Sequence, residues 1–303
     1  MAATSATECA RALPRALHWP ALLVVLLVPL LAPGVGQART PSPTVAPDPR
    51  EVGLALDARA LLVLQAANGK VLLARQPHAL RAIASLTKLA AALVVRRQGL
   101  RLQAGTTIDR ADWQVALGGA RTRLELNWTY RNLDLLHAAL LASDNRAVSA
   151  LGRAVGLDAK GLVRGMNALA QELELRRTRF AGPVGIDPGN VSTAWEVARL
   201  VLAASRDPVL RDVMRKAEYR VTPLRGYLSN HYRNTNPLVG QRAGEPFLAS
   251  KTGFNAEAGY CLAAVVELRG LGPVAIVVLG ATSKARRVRD LETLLRWLRT
   301  RPR

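Results

Sequence analysis

The hydrophobic pattern of the chain changes character three times. Near the start, an apolar run from Ala21 to Leu31 covers 11 residues and contains Pro29. It follows Arg11 and Arg15 and precedes the small residues around Gly36-Gln37-Ala38. A spanning helix needs roughly 20 apolar residues. The pattern therefore predicts a secretory signal over residues 1–38, with an uncleaved membrane anchor as the alternative. The proline-rich stretch "ARTPSPTVAPDPR" follows and reads as an extended linker over residues 39–52. From residue 53 to 303 the pattern is that of one folded domain.

Within that domain, "RALLVLQAANGKVLLARQP" carries two apolar runs on either side of Asn68-Gly69. Asn-Gly accepts positive φ at both central turn positions, so the pair reads as a β-hairpin. Helical spacing then takes over. A helix is expected from Ser85 to Arg97, and others in "YRNLDLLHAALLA", "NRAVSALGRAVG" and "DAKGLVRGMNALAQELEL". "FAGPVGIDPGNVST" is loop-rich, with Ser192 or Thr193 as the cap of the next helix. Strands return in "PFLASKTGF", "YCLAAVVELRG" and "PVAIVVLGA", the last two as an antiparallel pair. Val288, Leu291, Leu294, Leu295 and Leu298 then fall on one face of a closing helix. Strands at both ends of a helical middle predict an α/β (α+β) domain: an antiparallel sheet built from distant segments, helices on both of its faces, and a mostly helical lobe.

Composition narrows the function. The chain has 36 arginines but only six lysines, and a net charge of +20. The arginines are scattered, with no zinc-ligand spacing and no aromatic-rich RNA-binding strand, so nucleic acid is not the expected partner. Such a charge would draw an exported protein to anionic envelope polymers; it fits a plain solvated surface equally well. Cys9 falls in the signal segment and Cys261 stands alone in an apolar run, so no internal disulfide is expected. His78, His137 and His231 form no H-x-x-x-H pair, and neither a metal site nor another cofactor is expected.

Three short motifs carry candidate chemistry. Ser85-Leu86-Thr87-Lys88 places a hydroxyl and an amine one helical turn apart in an apolar run. Burial would lower the lysine pKa and make it a usable base, a role closed to arginine, which stays charged. Taken alone, the same residues also fit a capping serine beside a snorkelling lysine. Ser143-Asp144-Asn145 lies between two expected helices. In an extended loop, Ser143 and Asn145 would face one way, the hydroxyl to relay a proton and the amide to hold a peptide group. The motif equally fits helix punctuation. Lys251-Thr252-Gly253 lies on a strand, where lysine and hydroxyl suit a carboxylate and glycine admits a neighbouring backbone. Alone, it also fits a turn. Their order, S-x-x-K, S-D-N, K-T-G, is the motif set of penicillin-binding proteins and class A β-lactamases.

With these motifs and the stretches "RAIASLTKLAAALVV", "LLASDNRAVSAL", "NALAQELELRRTRF", "RNTNPLV" and "KTGFNAEAGYCL", the chain from about residue 53 to 298 resembles the serine D-Ala-D-Ala peptidases of low molecular mass, and most of all their endopeptidase branch. The resemblance implies a β-lactamase/transpeptidase-like fold in which Ser85 is the acylated nucleophile, Lys88 the base and Ser143 a proton relay. It implies that Asn145 holds the substrate peptide, that Lys251 and Thr252 of the Lys251-Thr252-Gly253 strand receive the leaving residue's carboxylate, and that the N–H groups of Ser85 and Phe254 form an oxyanion hole. The substrates implied are peptidoglycan stem peptides in the periplasm, with β-lactams as acylating inhibitors, no cofactor and no stable membrane anchor after signal cleavage. Carboxypeptidase action is the alternative to endopeptidase action. A β-lactamase would need a glutamate in E-x-x-x-N, whereas Glu172, Glu174 and Glu196 are followed at that spacing by Arg176, Thr178 and Leu200. A non-catalytic wall-binding module is the remaining rival.

Overall fold

The computed structural model describes residues 46–241 and 246–301. The expected signal segment, and with it the alternative of a membrane anchor, lies outside the described residues. No helix among them is long and apolar enough to cross a membrane.

Along the chain run β1 (Ala60–Gln65), β2 (Val71–Arg75), β3 (Arg81–Ala82), α1 (Lys88–Arg97), β4 (Gly105–Thr107), α2 (Arg110–Ala116), β5 (Thr129–Arg131), α3 (Asn132–Leu141), α4 (Asn145–Ala154), α5 (Ala159–Glu172), β6 (Val191–Ser192), α6 (Ala194–Arg206), α7 (Pro208–Met214), β7 (Glu218–Val221), β8 (Asn230–Arg233), β9 (Phe247–Asn255), β10 (Gly259–Leu268), β11 (Gly272–Ala281) and α8 (Lys284–Thr300). The main sheet has the order β2-β1-β11-β10-β9 and is antiparallel throughout. The Asn-Gly hairpin thus meets the C-terminal hairpin through β1 and β11, with Leu61 opposite Val278.

The continuous apolar runs of these strands are explained by burial on both faces. Leu61 and Val63 of β1 and Val274, Ile276 and Val278 of β11 face a core closed by Leu291, Leu294, Leu295 and Leu298 of α8. Ala60, Leu62 and Leu64, with Ala275, Val277 and Leu279, face the opposite core, which holds α1 and α6. Each leucine so placed contributes about 1.5–3 kcal/mol. Helices cover both faces as expected, and α2 to α5 form the helical lobe beside them. α1 runs between sheet and lobe, and every residue from Lys88 to Val95 is buried. A lysine at the head of such a helix has no route by which to snorkel.

Residues 46–52 correct the expectation of an unpacked linker. Pro47 accepts a hydrogen bond from Ala74 N, and Asp48 caps a 3-10 turn, Pro49–Val52, by accepting from Arg50 N. Proline at the first helical position supplies the turn's φ at no hydrogen-bond cost, and Pro49 is buried. Thr193, rather than Ser192, caps α6, accepting from Glu196 N. Two short ribbons, β4/β5 and β7/β8, and the short helices α2 and α7 escaped the sequence pattern.

Candidate active site

Ser85 lies not on an α-helix but in a 3-10 turn, Ala84–Thr87, that runs into α1 at Lys88. Side chains at i and i+3 eclipse in a 3-10 turn, which aligns the two groups better than α geometry would. Lys88 Nζ is 2.9 Å from Ser85 Oγ and also donates to the Val184 carbonyl at 2.5 Å. Lys88 is wholly buried, and loss of hydration brings its pKa down to about 7, against the opposing pull of the Asp144 carboxylate. Near neutrality the amine therefore exists in comparable charged and neutral populations. A neutral amine can keep an N–H on Val184 and turn its lone pair to the serine hydroxyl. Behind it, Ala91, Ala92, Val95, Ala139, Val148 and Leu151 close a cavity of only about 10 Å³.

The second motif departs from the extended loop expected of it. Ser143 has φ +65°, and Asn145 is already the first residue of α4. The left-handed residue reverses the chain between α3 and α4, strain of the kind that a functional position stores. Ser143 Oγ is buried without a partner. Asp144, between the two, has a different task. Its carboxylate accepts from Arg146 N, Ala147 N, Arg123 N and Tyr232 Oη at 3.0–3.3 Å, capping α4 and tying down its neighbours. Burial nevertheless pushes its pKa upward.

The third motif lies on β9, an edge strand of the main sheet. A Cβ on Gly253 would lie 2.9 Å from Ile83 O and 3.0 Å from Ser85 N, so glycine is what lets β9 lie against the serine's turn. Lys251 is buried, and its Nζ donates to Thr252 O at 2.8 Å. Its pKa is held well below the ordinary value by burial first, then by the positive charges of Lys88 and Arg287. Thr252 Oγ1 bonds Thr235 Oγ1 at 2.6 Å, and Thr235 in turn donates to Leu141 O, two residues before Ser143. The ring of Phe254 is exposed and stacks on Tyr260 at 4.2 Å.

The three motifs thus meet in one place, and other residues complete it. Residues 181–190, read from sequence only as a loop, form a wall against the serine's turn. A Cβ on Gly185 would lie 2.2 Å from Ala84 O. Asn190 anchors this wall: Oδ1 accepts from Ala181 N and Gly182 N, Nδ2 donates to Thr87 Oγ1 and Gly182 O, and its carbonyl accepts from Ile83 N. The two prolines and three glycines of this loop signalled irregular backbone; nothing local signalled its partner. Arg287, buried on α8, reaches Cys261 O and Thr235 O. Its charge bears on Lys251 together with that of Lys88, and its guanidinium suits an anionic ligand. His137 is structural. It stacks on Tyr219 at 3.6 Å, and Nδ1 meets Leu133 O. Cys261 is a buried core thiol whose pKa burial raises to about 11. No cluster of metal-ligating side chains occurs among the described residues.

A buried amine paired with a serine, beside an unpartnered second hydroxyl and a lysine–threonine strand edge, has the parts of an acyl-transfer site. Comparison with known proteins agrees. The chain is 30% identical over 279 residues to a D-alanyl-D-alanine endopeptidase of Escherichia coli, covering 92% of this chain and 87% of that one. It is 32% identical over 288 residues to the Pseudomonas aeruginosa endopeptidase, covering 92% and 88%. Among solved structures, a Streptomyces DD-transpeptidase superposes with a TM-score of 0.74 at 26% identity, over 80% of this chain and 97% of that one. The family model described as D-alanyl-D-alanine carboxypeptidase matches residues 44–283. The chain therefore belongs to the D-alanyl-D-alanine carboxypeptidase family of serine peptidases.

Proposed function

We propose that the protein hydrolyses D-alanyl bonds of peptidoglycan stem peptides through an acyl-serine intermediate, with the D-alanyl–diaminopimelate cross-link as its preferred bond. The observation that carries the chemistry is the 2.9 Å approach of Ser85 Oγ to a fully buried Lys88 amine. Neutral Lys88 takes the hydroxyl proton as Ser85 Oγ bonds to the D-alanyl carbonyl carbon. The oxyanion is met by the N–H groups of Ser85 and Phe254. The C–N bond then breaks, and the departing amine gains a proton through the Ser143 hydroxyl. Asn145 holds the peptide group on the acyl side, and Lys251 and Thr252 take the leaving residue's carboxylate at the edge of β9. Water attacks the acyl-serine, losing its proton to the same base and restoring Ser85.

Two relatives named endopeptidases at 30% identity or more, each aligned over 92% of this chain, support the cross-link preference over terminal trimming. The predicted export signal supports action in the periplasm. Glu196 supports peptidase over β-lactamase action, because its carboxylate is spent on Arg177 N and the Thr178 hydroxyl. The test is incubation with muropeptide dimers and with pentapeptide monomers, followed by separation of products. Dimer cleavage is expected; trimming of monomers alone would assign a carboxypeptidase. Fluorescent penicillin is expected to label the wild type and not Ser85→Ala, and labelling of that variant would overturn the nucleophile.

A further inference from the structure

A cleft adjoins Asn145 on the side of the 117–125 segment. Gly119 lines it and packs so tightly on the site that a Cβ there would fall 2.2 Å from Asn145 Nδ2. Its volume is about 390 Å³, and it continues past Thr122 into a second hollow of about 460 Å³ that reaches Arg123 and Asn230. Trp113 and Leu117, both partly exposed, give it an apolar wall. Arg121 and Glu125 line both parts. Neither side chain makes a hydrogen bond or an ion pair among the described residues, although they carry opposite charges in one cleft. The other arginines there are engaged: Arg146 donates to Leu124 O, and Arg123 to His231 O. The Thr122 hydroxyl is buried without a partner.

An apolar wall, a free cation and a free anion describe a ligand with an aliphatic stem that ends in both charges. We propose that this cleft takes the side chain of the residue preceding the acyl-side D-alanine, a diaminopimelyl-type chain ending in an amino-acid zwitterion, with Arg121 receiving its carboxylate and Glu125 its ammonium. The proposal rests on the D-alanyl peptidase reading, in which Asn145 holds the acyl-side backbone, so the neighbouring cleft lies upstream of the scissile bond. A short acidic side chain would reach Arg121 but leave the apolar wall and Glu125 unused.

The test compares kcat/KM for four cross-linked peptide dimers that differ only in the residue before the acyl-side D-alanine: diaminopimelyl, its side-chain carboxamide, its side-chain N-acetyl derivative, and lysine. The full-length protein is expected to prefer diaminopimelyl over the carboxamide and over lysine by about tenfold, equivalent to about 1.4 kcal/mol. Arg121→Gln should erase the acid-to-amide ratio, and Glu125→Gln the free-to-acetylated amine ratio. Ratios measured within one variant are insensitive to a loss of folded protein. Arg296→Gln, the same charge change on an exposed position of α8, should leave both ratios intact. Ratios near one in the wild type, or ratios that survive Arg121→Gln and Glu125→Gln, would overturn the cleft assignment while penicillin labelling of Ser85 still upheld the peptidase. Failure of the wild type to take up penicillin or cleave any peptide would overturn both.

Discussion

Lys88 Nζ stands 2.9 Å from Ser85 Oγ with its other hydrogen bond fixed on Val184 O. The pair therefore has one adjustable feature, the protonation of the amine. Since burial holds that pKa at about 7, the rate of acylation by a β-lactam should rise about tenfold per pH unit below 7 and level off above it. Lys88→Arg keeps the charge but removes the base, and should lower acylation by about 10²–10⁴-fold. Stopped-flow penicillin quenching across pH reads both effects. A flat wild-type profile through pH 7 would exclude Lys88 as the titrating group.

Gly253 should tolerate no side chain. The 2.9–3.0 Å contacts that a Cβ would make are with backbone atoms of the serine's own turn, so relief must come from moving Ser85. Gly253→Ala should cut acylation by about 10²-fold, since ångström-scale misplacement costs that much, with a melting temperature only modestly reduced. Acylation at the wild-type rate would mean that β9 and the turn are freer of each other than they look.

Asn190 holds the wall at residues 181–190 with four side-chain hydrogen bonds, two of them accepted from backbone N–H groups. Asn190→Ala strands these donors, at about 1–3 kcal/mol each. Urea denaturation should show a loss on the order of 3 kcal/mol. Asn190→Asp keeps the acceptor and should recover part of it. Equal losses in the two variants would place the importance of Asn190 in its donated bonds alone.

His137 should make stability fall with acid. Its pKa drops from 6.5 unfolded to about 4 folded, because burial resists the charged form. Between those values the unfolded chain binds a proton that the folded one does not. The contribution is therefore complete above pH 6.5 and is lost as pH falls toward 4, by on the order of 3 kcal/mol. His137→Phe retains a ring against Tyr219 and removes the titration. Its stability should decline less than that of the wild type between pH 7 and 4.5, as measured by chemical denaturation.

Much of this was legible in the sequence because its signals are local. Apolar runs, helical spacing, caps and the Asn-Gly turn marked the sheet strands and long helices, and Ser85, Lys88, Ser143, Asn145 and Lys251 could be named because each sits in a short motif. What escaped depends on distant partners. Arg287 looked like one more arginine of an amphipathic helix, yet it is buried against Thr235 O and Cys261 O. Asn190 and Gly185 read as turn residues until the serine's turn was packed against them. The shape of the S-D-N segment was misjudged for a related reason: period-two alternation assumes extended backbone, and Ser143 is left-handed. Arg121 and Glu125 belong to no motif and acquire meaning only from a shared cleft.

The ring of small and branched side chains behind Lys88 has a consequence for the proton itself. Ala91, Ala92, Ala139, Val95, Val148 and Leu151 leave no room there for a chain of water molecules. The ammonium formed during attack is a dead end on that side, with its exit on the face where Ser85 lies. In the proposed mechanism the hydrogen withdrawn from Ser85 therefore passes to the outgoing nitrogen and leaves with the product, and the hydrolytic water supplies its replacement, so acylation draws on no separate proton donor in bulk solvent.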